Sequence, residues 1–574
     1  MAVAAERDEL LARGIAAISK ERLLAHVAEF ARRRKHAGTP EELESLRYVE
    51  RELRSSGYST ELLSHDAYIS LPGVARFEAL GSEHRCITHS FSRPASGLRA
   101  RLVDVGSGGD AGYASADARG AAVLVDGIAT PASTIAARRH GAVAQVHVSP
   151  HEHLHEMCIS SVWGSPGDDQ LDELPSTTVV TVERETGVRL REALAVGEVV
   201  VLLDAAVDTG WRQTPILIGD LAGPRGADGP FVLLSGHHDT WHYGVMDNGG
   251  ANATMLEVAR ACALAREHWR RGLRVAFWSG HSQGRYSSSA WYADTHWEEL
   301  DRRAVAHVNV DSTGGRGNTV VSDTSASEEL AALAREALAA QAGQEFSARR
   351  PERAGDQSFW GIGVPSIFAN MSEQPAGGDV NAMGAVIGAG TRRGAGTGWW
   401  WHTPDDTEDK IDGEILVRDT RIYQHAVWRL LATPVPPLDF ASAAHALVET
   451  LTQRQREAGD ALDLSHCLNQ ARALESRAVR LQRAAATANG ADAERFAETL
   501  RRLSRALVPL AYTRGDRFAH DPALSQPPVP ALADASLLAG LDADGRRFLA
   551  SRLVRESNRV AHALEQALAV LADA

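Results

Sequence analysis

Four short segments of this 574-residue chain place histidine and aspartate directly after runs of strand-forming residues. They read SGHHDTWHYGVMDN (235–248), WSGHSQGRYSSS (278–289), HVNVDSTGG (307–315) and WWWHTPDD (399–406). Imidazole and carboxylate are the donors that hold zinc or a similar divalent ion, and one aspartate can bridge two ions about 3.5 to 4 Å apart. Any one of these residues, taken singly, also suits a helix cap, a turn or a solvated surface. It is the recurrence of the pattern at four strand ends that points to a metal centre. The four cysteines, Cys86, Cys158, Cys262 and Cys467, are far apart and form no CxxC pair, so a metal here is expected to be held by His and carboxylates.

The elements that must position these residues follow from periodicity. Between 213 and 435, strand-like runs (FVLLSG, LRVAFWSG, AVAHVNVD, VPSIFAN) alternate with helical stretches such as NATMLEVARACALAREHW. That alternation predicts an α/β sheet with covering helices and its chemistry at the carboxyl ends of the strands. Residues 8–57 read as two helices ending at SSGY, within an N-terminal segment 1–66. Residues 67–212 break into short Val/Leu/Ala runs between Gly, Pro and Asp, a β-rich insertion. Residues 436–574 are helical, with Leu464, Leu468, Ala471, Leu474, Ala478 and Leu481 at spacings of three and four.

Composition excludes several classes of function. Sixty Lys and Arg against 74 Asp and Glu leave a net charge of −14, with no basic stretch suited to nucleic acid. No apolar run reaches the 18 or so residues of a membrane span. The first residues carry acids where a secretory signal needs a basic start, so a soluble, cytoplasmic protein is expected.

The order of the motifs resembles the family of dinuclear-zinc aminopeptidases, glutamate carboxypeptidase II and the transferrin receptor. The similarity takes in KHAGTPEELESLRYVERELRSSGYSTELLSHDAYISLP near the start. ARGAAVLVDG and AARRHGAVAQVHVSP are similar to that family's protease-associated domain, and LSRALVPLAYTRGDRFAH to its helical dimerisation domain. The resemblance implies the zinc-peptidase α/β fold, a divalent metal (zinc, with manganese or cobalt as alternatives; one or two ions), a small-molecule or peptide-like substrate, and a homodimer built through 436–574. Residue by residue, it implies His237 and Asp311 as ligands of one metal, Asp247 as the bridging carboxylate and His402 as a ligand of the other. Asp239 matches the carboxylate that orients a ligand histidine.

The departure is at His281 and Ser282, where the family has two glutamates, a general base and a ligand. Three repairs are open: His281 as base, suited by an ordinary imidazole pKa near about 6.5; His281 as ligand; or His238 or His242 bending in. His155 and Glu156, in the histidine-rich HEHLHEMC, suit either a surface turn or a loop leaning over the pocket. Asp356, in RAGDQSFWGIGVP, resembles a pocket-lining position, and the tryptophans before His402 suit packing or an apolar wall. The leading reading is a metal-dependent hydrolase of an amide or peptide-like C–N bond with an atypical base. The alternatives are a lyase or cyclising transferase on the same scaffold, and a non-catalytic binding protein like the transferrin receptor.

Overall fold

A computed structural model describes residues 2–376 and 393–573. Three helices open the chain, α1 (Ala2–Ala16), α2 (Lys20–Phe30) and α3 (Pro40–Ser55), one more than the periodicity suggests. The added break has a local cause: the Ser19 side chain accepts from the Arg22 amide and caps α2, while Thr39 caps α3 ahead of Pro40.

The next part of the chain holds β1 (Ser59–Ala79), β2 (Ser82–His84), β3 (Cys86–Thr88), β4 (Ala95–Asp104), α4 (Asp110–Ser115), β5 (Ala122–Asp126) and α5 (Pro131–Arg139). It continues with β6 (Ala144–Val148), β7 (Thr178–Val182), α6 (Arg184–Leu194) and β8 (Val200–Leu221). The insertion therefore carries helices as well as the expected strands: β4, β5, β6 and β7 are parallel neighbours, an arrangement that needs crossover connections.

The central part runs β9 (Phe231–His237), α7 (Ala251–Ala263), β10 (Gly272–Trp278), α8 (Ser287–Thr295), α9 (Trp297–Arg303), β11 (Ala304–Asn309), α10 (Ala331–Ala342), β12 (Ser366–Ile367) and α11 (Gly413–Ala432). Here β10, β9, β11 and β12 lie parallel in that order, and β9, β10 and β11 are buried along their whole length. Continuous apolar runs are what a parallel sheet covered on both faces requires. Each Leu of the β9 pair 233–234, fully removed from water, contributes roughly 1.5–3 kcal/mol.

One ribbon joins the two sheets. The amino half of β8 pairs antiparallel with β4 (Ala205 opposite Ala95) and its carboxyl half with β10 (Leu221 opposite Leu273), while β1 runs antiparallel along nearly all of β8. The insertion and the central sheet thus share two strands, and 66/67 and 212/213 fall within them. The carboxyl-terminal part is helical as expected: α12 (Phe440–Ala458), α13 (Ser465–Ala485), α14 (Gly490–Tyr512) and α15 (Ala543–Ala572), with Leu468, Ala471, Leu474, Ala478 and Leu481 of α13 buried. Among the described residues no helix is long and apolar enough to cross a membrane.

The turn between β9 and α7 is shaped by glycine. Gly244 adopts φ +50°, and a Cβ there would stand 2.3 Å from the Asp247 carbonyl oxygen and 2.5 Å from Thr240 Cβ. Gly226, at φ +72°, faces open space. Gly244→Ala should therefore cost at least about 2 kcal/mol, against about 1 kcal/mol for Gly226→Ala. Thermal melts should show the first lowered by about 4 °C or more and the second by roughly half as much; equal shifts would mean that the turn yields.

Candidate metal centre

His237 is the last residue of β9, and its neighbour His238 points to the other face, as strand alternation requires. His238 is wholly buried, with Nδ1 2.7 Å from Asn252 Oδ1 and its ring edge-on to Phe30 and Phe277. Burial lowers its pKa to about 3. His238 therefore does not bend into the site. His237 Nδ1 donates to the Asp239 carbonyl oxygen at 2.7 Å, which fixes the tautomer and leaves Nε2 with a bare lone pair. Nε2 is buried and makes no hydrogen bond, although Asp247 Oδ1 lies 3.0 Å away and Asp311 Oδ1 3.7 Å away. The other oxygen of Asp247 lies 3.1 Å from His402 Nε2, so this carboxylate is divided between two imidazoles.

Such an arrangement calls for a cation. Burial by itself would depress His237, yet the Asp247 and Asp311 carboxylates hold its pKa well above the ordinary value. Burial likewise works against the Asp247 carboxylate, but His237 and His402 outweigh it and keep its pKa low. Ligand bonds of about 2.0–2.2 Å at a tetrahedral angle put donors about 3.3 Å apart. The separations of 3.0 and 3.7 Å around His237 Nε2 bracket that figure. One imidazole and two carboxylates suit zinc, with manganese or cobalt as nearby fits.

The surrounding loops hold this geometry with few free parameters. Asp406, in the HTPDDT segment, accepts from the amides of Met246 and Asp247 at 2.8 and 3.1 Å. Burial pushes its pKa up to about 7. Asn248 donates to the carbonyls of His237 and Val310 and accepts from the Ser312 amide, tying the ends of β9 and β11 together. Asp239 acts differently from a carboxylate-to-histidine contact. Its Oδ1 is 3.9 Å from His237 Nδ1, and both oxygens instead accept from the amides of His281 and Ser282 at 3.1 and 2.8 Å. Asp239 thus orients the ligand histidine through its backbone and the loop after β10 through its side chain.

His281 stands beside the centre. Its Nδ1 is 2.7 Å from Asp356 Oδ2, and Asp356 also accepts from Ser289 Oγ at 2.7 Å. Burial raises the Asp356 pKa, but His281 and Ser289 more than offset it and leave the carboxyl below its usual range. The His281 ring lies on His237, with centroids 3.8 Å apart and planes 16° from parallel. Lone pairs of stacked rings run side by side and do not converge on one point. Donor atoms of His237, His281 and Asp311 nevertheless come within 4.8 Å of one another, so His281 stands within reach of the same centre. Ser282 lines the cavity, and its buried Oγ has no hydrogen-bond partner.

The cavity above these residues measures about 490 Å³ and draws its walls from three parts of the chain: Thr130, Pro131 and Cys158 of the insertion, the central loops, and Leu524 and Ser525 after α14. The insertion does lean over the pocket, though with other residues than those expected. The His155 side chain is buried away from the cavity, Nδ1 donating to the Trp401 carbonyl at 2.5 Å and Nε2 standing 3.3 Å from His151 Nε2; burial lowers its pKa to about 3. The Glu156 carbonyl accepts from His402 Nδ1 at 2.6 Å, and its carboxyl, raised to about 7 by burial, lies 3.6 Å from His242. His242 is thus turned to Glu156. Trp401 stacks on His402, so the tryptophan run serves both as packing and as wall. Three contributors escaped the sequence reading. Asp406 lies in the spacing H-T-x-x-D-T but is given no role there, Arg285 lies inside a quoted motif without a spacing that marks it, and nothing local marks Thr130 to Ala132.

Left-handed backbone recurs around the cavity, at Arg285 (φ 46°), Tyr286 (67°), Ser312 (47°), Asp356 (57°) and His402 (59°). Non-glycine residues held there cost of order 1–3 kcal/mol each and cluster where function needs a fixed direction.

Asp247→Ala should strip metal from the purified chain, because one carboxylate serves both sides of the centre, whereas His402→Ala should retain most of it. Elemental analysis after gel filtration reads both, and equal loss would remove the special role of Asp247.

Residues 217–427 match the model of peptidase family M28. Over 84 residues the chain is 34% identical to the probable glutamate carboxypeptidase VP8 of Zea mays, which is 14% of this chain and 12% of that protein. Over 113 residues it is 29% identical to the glutamate carboxypeptidase 2 homolog of Caenorhabditis briggsae, 19% of this chain and 14% of that protein. These alignments span about an eighth of the relatives' length. In solved structures the fold is shared with a zinc aminopeptidase from Bacillus subtilis, at TM-score 0.55 and 20% identity over 72% of this chain and 96% of that one. An aminopeptidase from Aneurinibacillus sp. strain AM-1 aligns equally well, at TM-score 0.55 and 20% identity over 73% and 95%. The stretch that matches peptidase family M28, residues 217–427, carries all four of the His and Asp residues that converge at the centre, and the fold around it is the one shared with the zinc aminopeptidases.

Proposed function

We propose that this protein is a metal-dependent hydrolase of an amide or peptide-like C–N bond, in which a His281–Asp356 pair does the proton transfer that a glutamate performs elsewhere in the family. The supporting observation is the 2.7 Å contact between His281 Nδ1 and Asp356, beside a ring stacked on His237. Asp356 holds the Nδ1 proton and so presents Nε2 as the free base on the cavity side. His237, Asp247 and Asp311 would hold a divalent cation, which when bound would supply Lewis acidity at the acyl carbonyl. His281 Nε2 takes the proton as the water oxygen bonds to the acyl carbon, and returns it to the departing nitrogen as the C–N bond breaks. Tyr286, edge-on to the His281 ring with centroids 4.7 Å apart, restricts its rotation.

One ion per chain suits this site. On the far side of Asp247 stands His402, and Ser282 is too short to stand in for a glutamate.

His281→Ala should lower the hydrolytic rate on the order of 10²-fold or more with metal content nearly unchanged, the usual size of a general-base deletion. Asp356→Asn should lower kcat by a smaller factor, as it disturbs the tautomer while leaving the imidazole. Loss of metal in His281→Ala would make the residue a ligand; unchanged turnover would make it a bystander. A product screen over amides, lactams and acyl amino acids finds the substrate, and formation of cyclic or unsaturated products without uptake of water would overturn hydrolysis.

A further inference from the structure

Asp356 stands at the end of a buried run of polar side chains that starts in the insertion. Trp163, in the segment between β6 and β7, donates its indole N–H to Ser358 Oγ at 2.9 Å. Ser358 Oγ is 2.9 Å from Ser289 Oγ, and Ser289 Oγ donates to Asp356 Oδ1 at 2.7 Å. The other oxygen of Asp356 meets His281 Nδ1 at 2.7 Å. Trp163 and Ser358 are 3% exposed, Asp356 1% and Ser289 0%, so bulk water does not stand in for a lost donor.

The direction of each bond follows from the groups themselves. An indole N–H only donates, and a carboxylate only accepts. Ser289 Oγ gives its single proton to Asp356, its stronger partner, rather than to the Tyr286 carbonyl at 3.2 Å. Ser358 therefore donates to Ser289 and accepts from Trp163. Three donors in series point at one carboxylate, and each polarises the next. A second route joins the same residues: the Trp163 ring lies 4.2 Å from that of Tyr286, which stands edge-on to His281 at 4.7 Å. Arg353 lies over the Trp163 ring at 3.7 Å and keeps it seated. Packing alone does not call for such a run, because apolar side chains would fill the space without the cost of burying polar atoms.

We propose that Trp163 is a positioning residue for His281, acting through Ser358, Ser289 and Asp356 to hold the imidazole in the orientation that proton transfer needs. The proposal rests on the hydrolase reading for the role of His281, and on the distances alone for the linkage. The metal ligands come from the central part of the chain, whereas the proton carrier takes its orientation from the insertion. An insertion displaced from its seat would leave the ligands in place and His281 free to turn.

The test labels the histidines of the full chain with nitrogen-15 and follows the Nδ1 proton of His281 by NMR, assigned by its loss in His281→Gln. Trp163→Phe keeps an aromatic ring and removes the indole N–H. It should shift the His281 proton while that of His238, on Asn252, stays in place. Ser358→Ala should shift it as well, and the double variant by no more than Ser358→Ala alone, since one chain of bonds carries both effects. Where Trp163→Phe lowers thermal stability, Ser358→Ala, which removes no ring, decides. With the amide that the product screen selects, Trp163→Phe should lower kcat about fivefold, the size of one hydrogen bond, with KM and metal content unchanged. An unmoved His281 proton in both single variants, additive shifts in the double variant, or a moved proton with unchanged kcat overturns the proposal. Full turnover in His281→Ala, or no amide cleaved at all, sinks the hydrolase reading, while the shifts still decide whether Trp163 orients His281.

Discussion

The carboxylate of Asp247 is the constraint on which the rest of the centre depends. Its two oxygens face two imidazoles 165 residues apart in sequence, His237 at the end of β9 and His402 in a turn. Two such contacts can be made together only if the turn from β9 into α7 is held rigid. That explains the density of bonds around it: Asp406 on the amides of Met246 and Asp247, Asn248 between the ends of β9 and β11, and Asn252 on the His237 carbonyl at 2.7 Å. None of these bonds faces the substrate. Their role is direction, because a ligand set misplaced by even an ångström loses much of its hold on an ion.

Beneath the centre lies a layer of buried charge that the fold must balance. Asp239 is fully buried, and its two oxygens are satisfied by the loop after β10. Lys35, also buried, gives its ammonium to the carbonyls of Phe30, Arg33 and Tyr243 and has its pKa lowered to about 8 by burial. Glu42 accepts from the Gly38 amide and is pushed well above the carboxylate range by burial and by the nearby Asp239. The N-terminal helices are thus part of the foundation of the site, since α3 carries Glu42 and the loop before it carries Lys35.

Replacement of two acidic residues by His281 and Ser282 changes the electrostatics of the cavity more than its shape. Two negative charges are absent, one side of Asp247 is short of a donor, and the nearby cation Arg285 has no carboxylate partner among the described residues. All three changes raise the positive potential seen by a substrate. In the proposed hydrolase reading, proton transfer falls to the imidazole held by Asp356.

Strand and helix periodicity made the α/β centre and the helical C-terminal part legible in the sequence, because each depends on neighbours a few residues away, while His237, Asp247, Asp311 and His402 came as ligand candidates through the resemblance of the motif order to a known family. Alternation along β9 also separates His237 from His238, although the direction of the inner face was settled only by packing. Tertiary structure decided the rest. Asp356 lies 75 residues from His281 in the chain and meets its Nδ1 only because the loop after β10 and the segment between α10 and β12 line the same cavity. The stacking of His281 on His237 joins residues at and just beyond the ends of adjacent parallel strands. The insertion reaches the pocket with Thr130 to Ala132 and Cys158 because β1 and β8 are shared between the two sheets, and a shared ribbon leaves no local mark in composition or spacing.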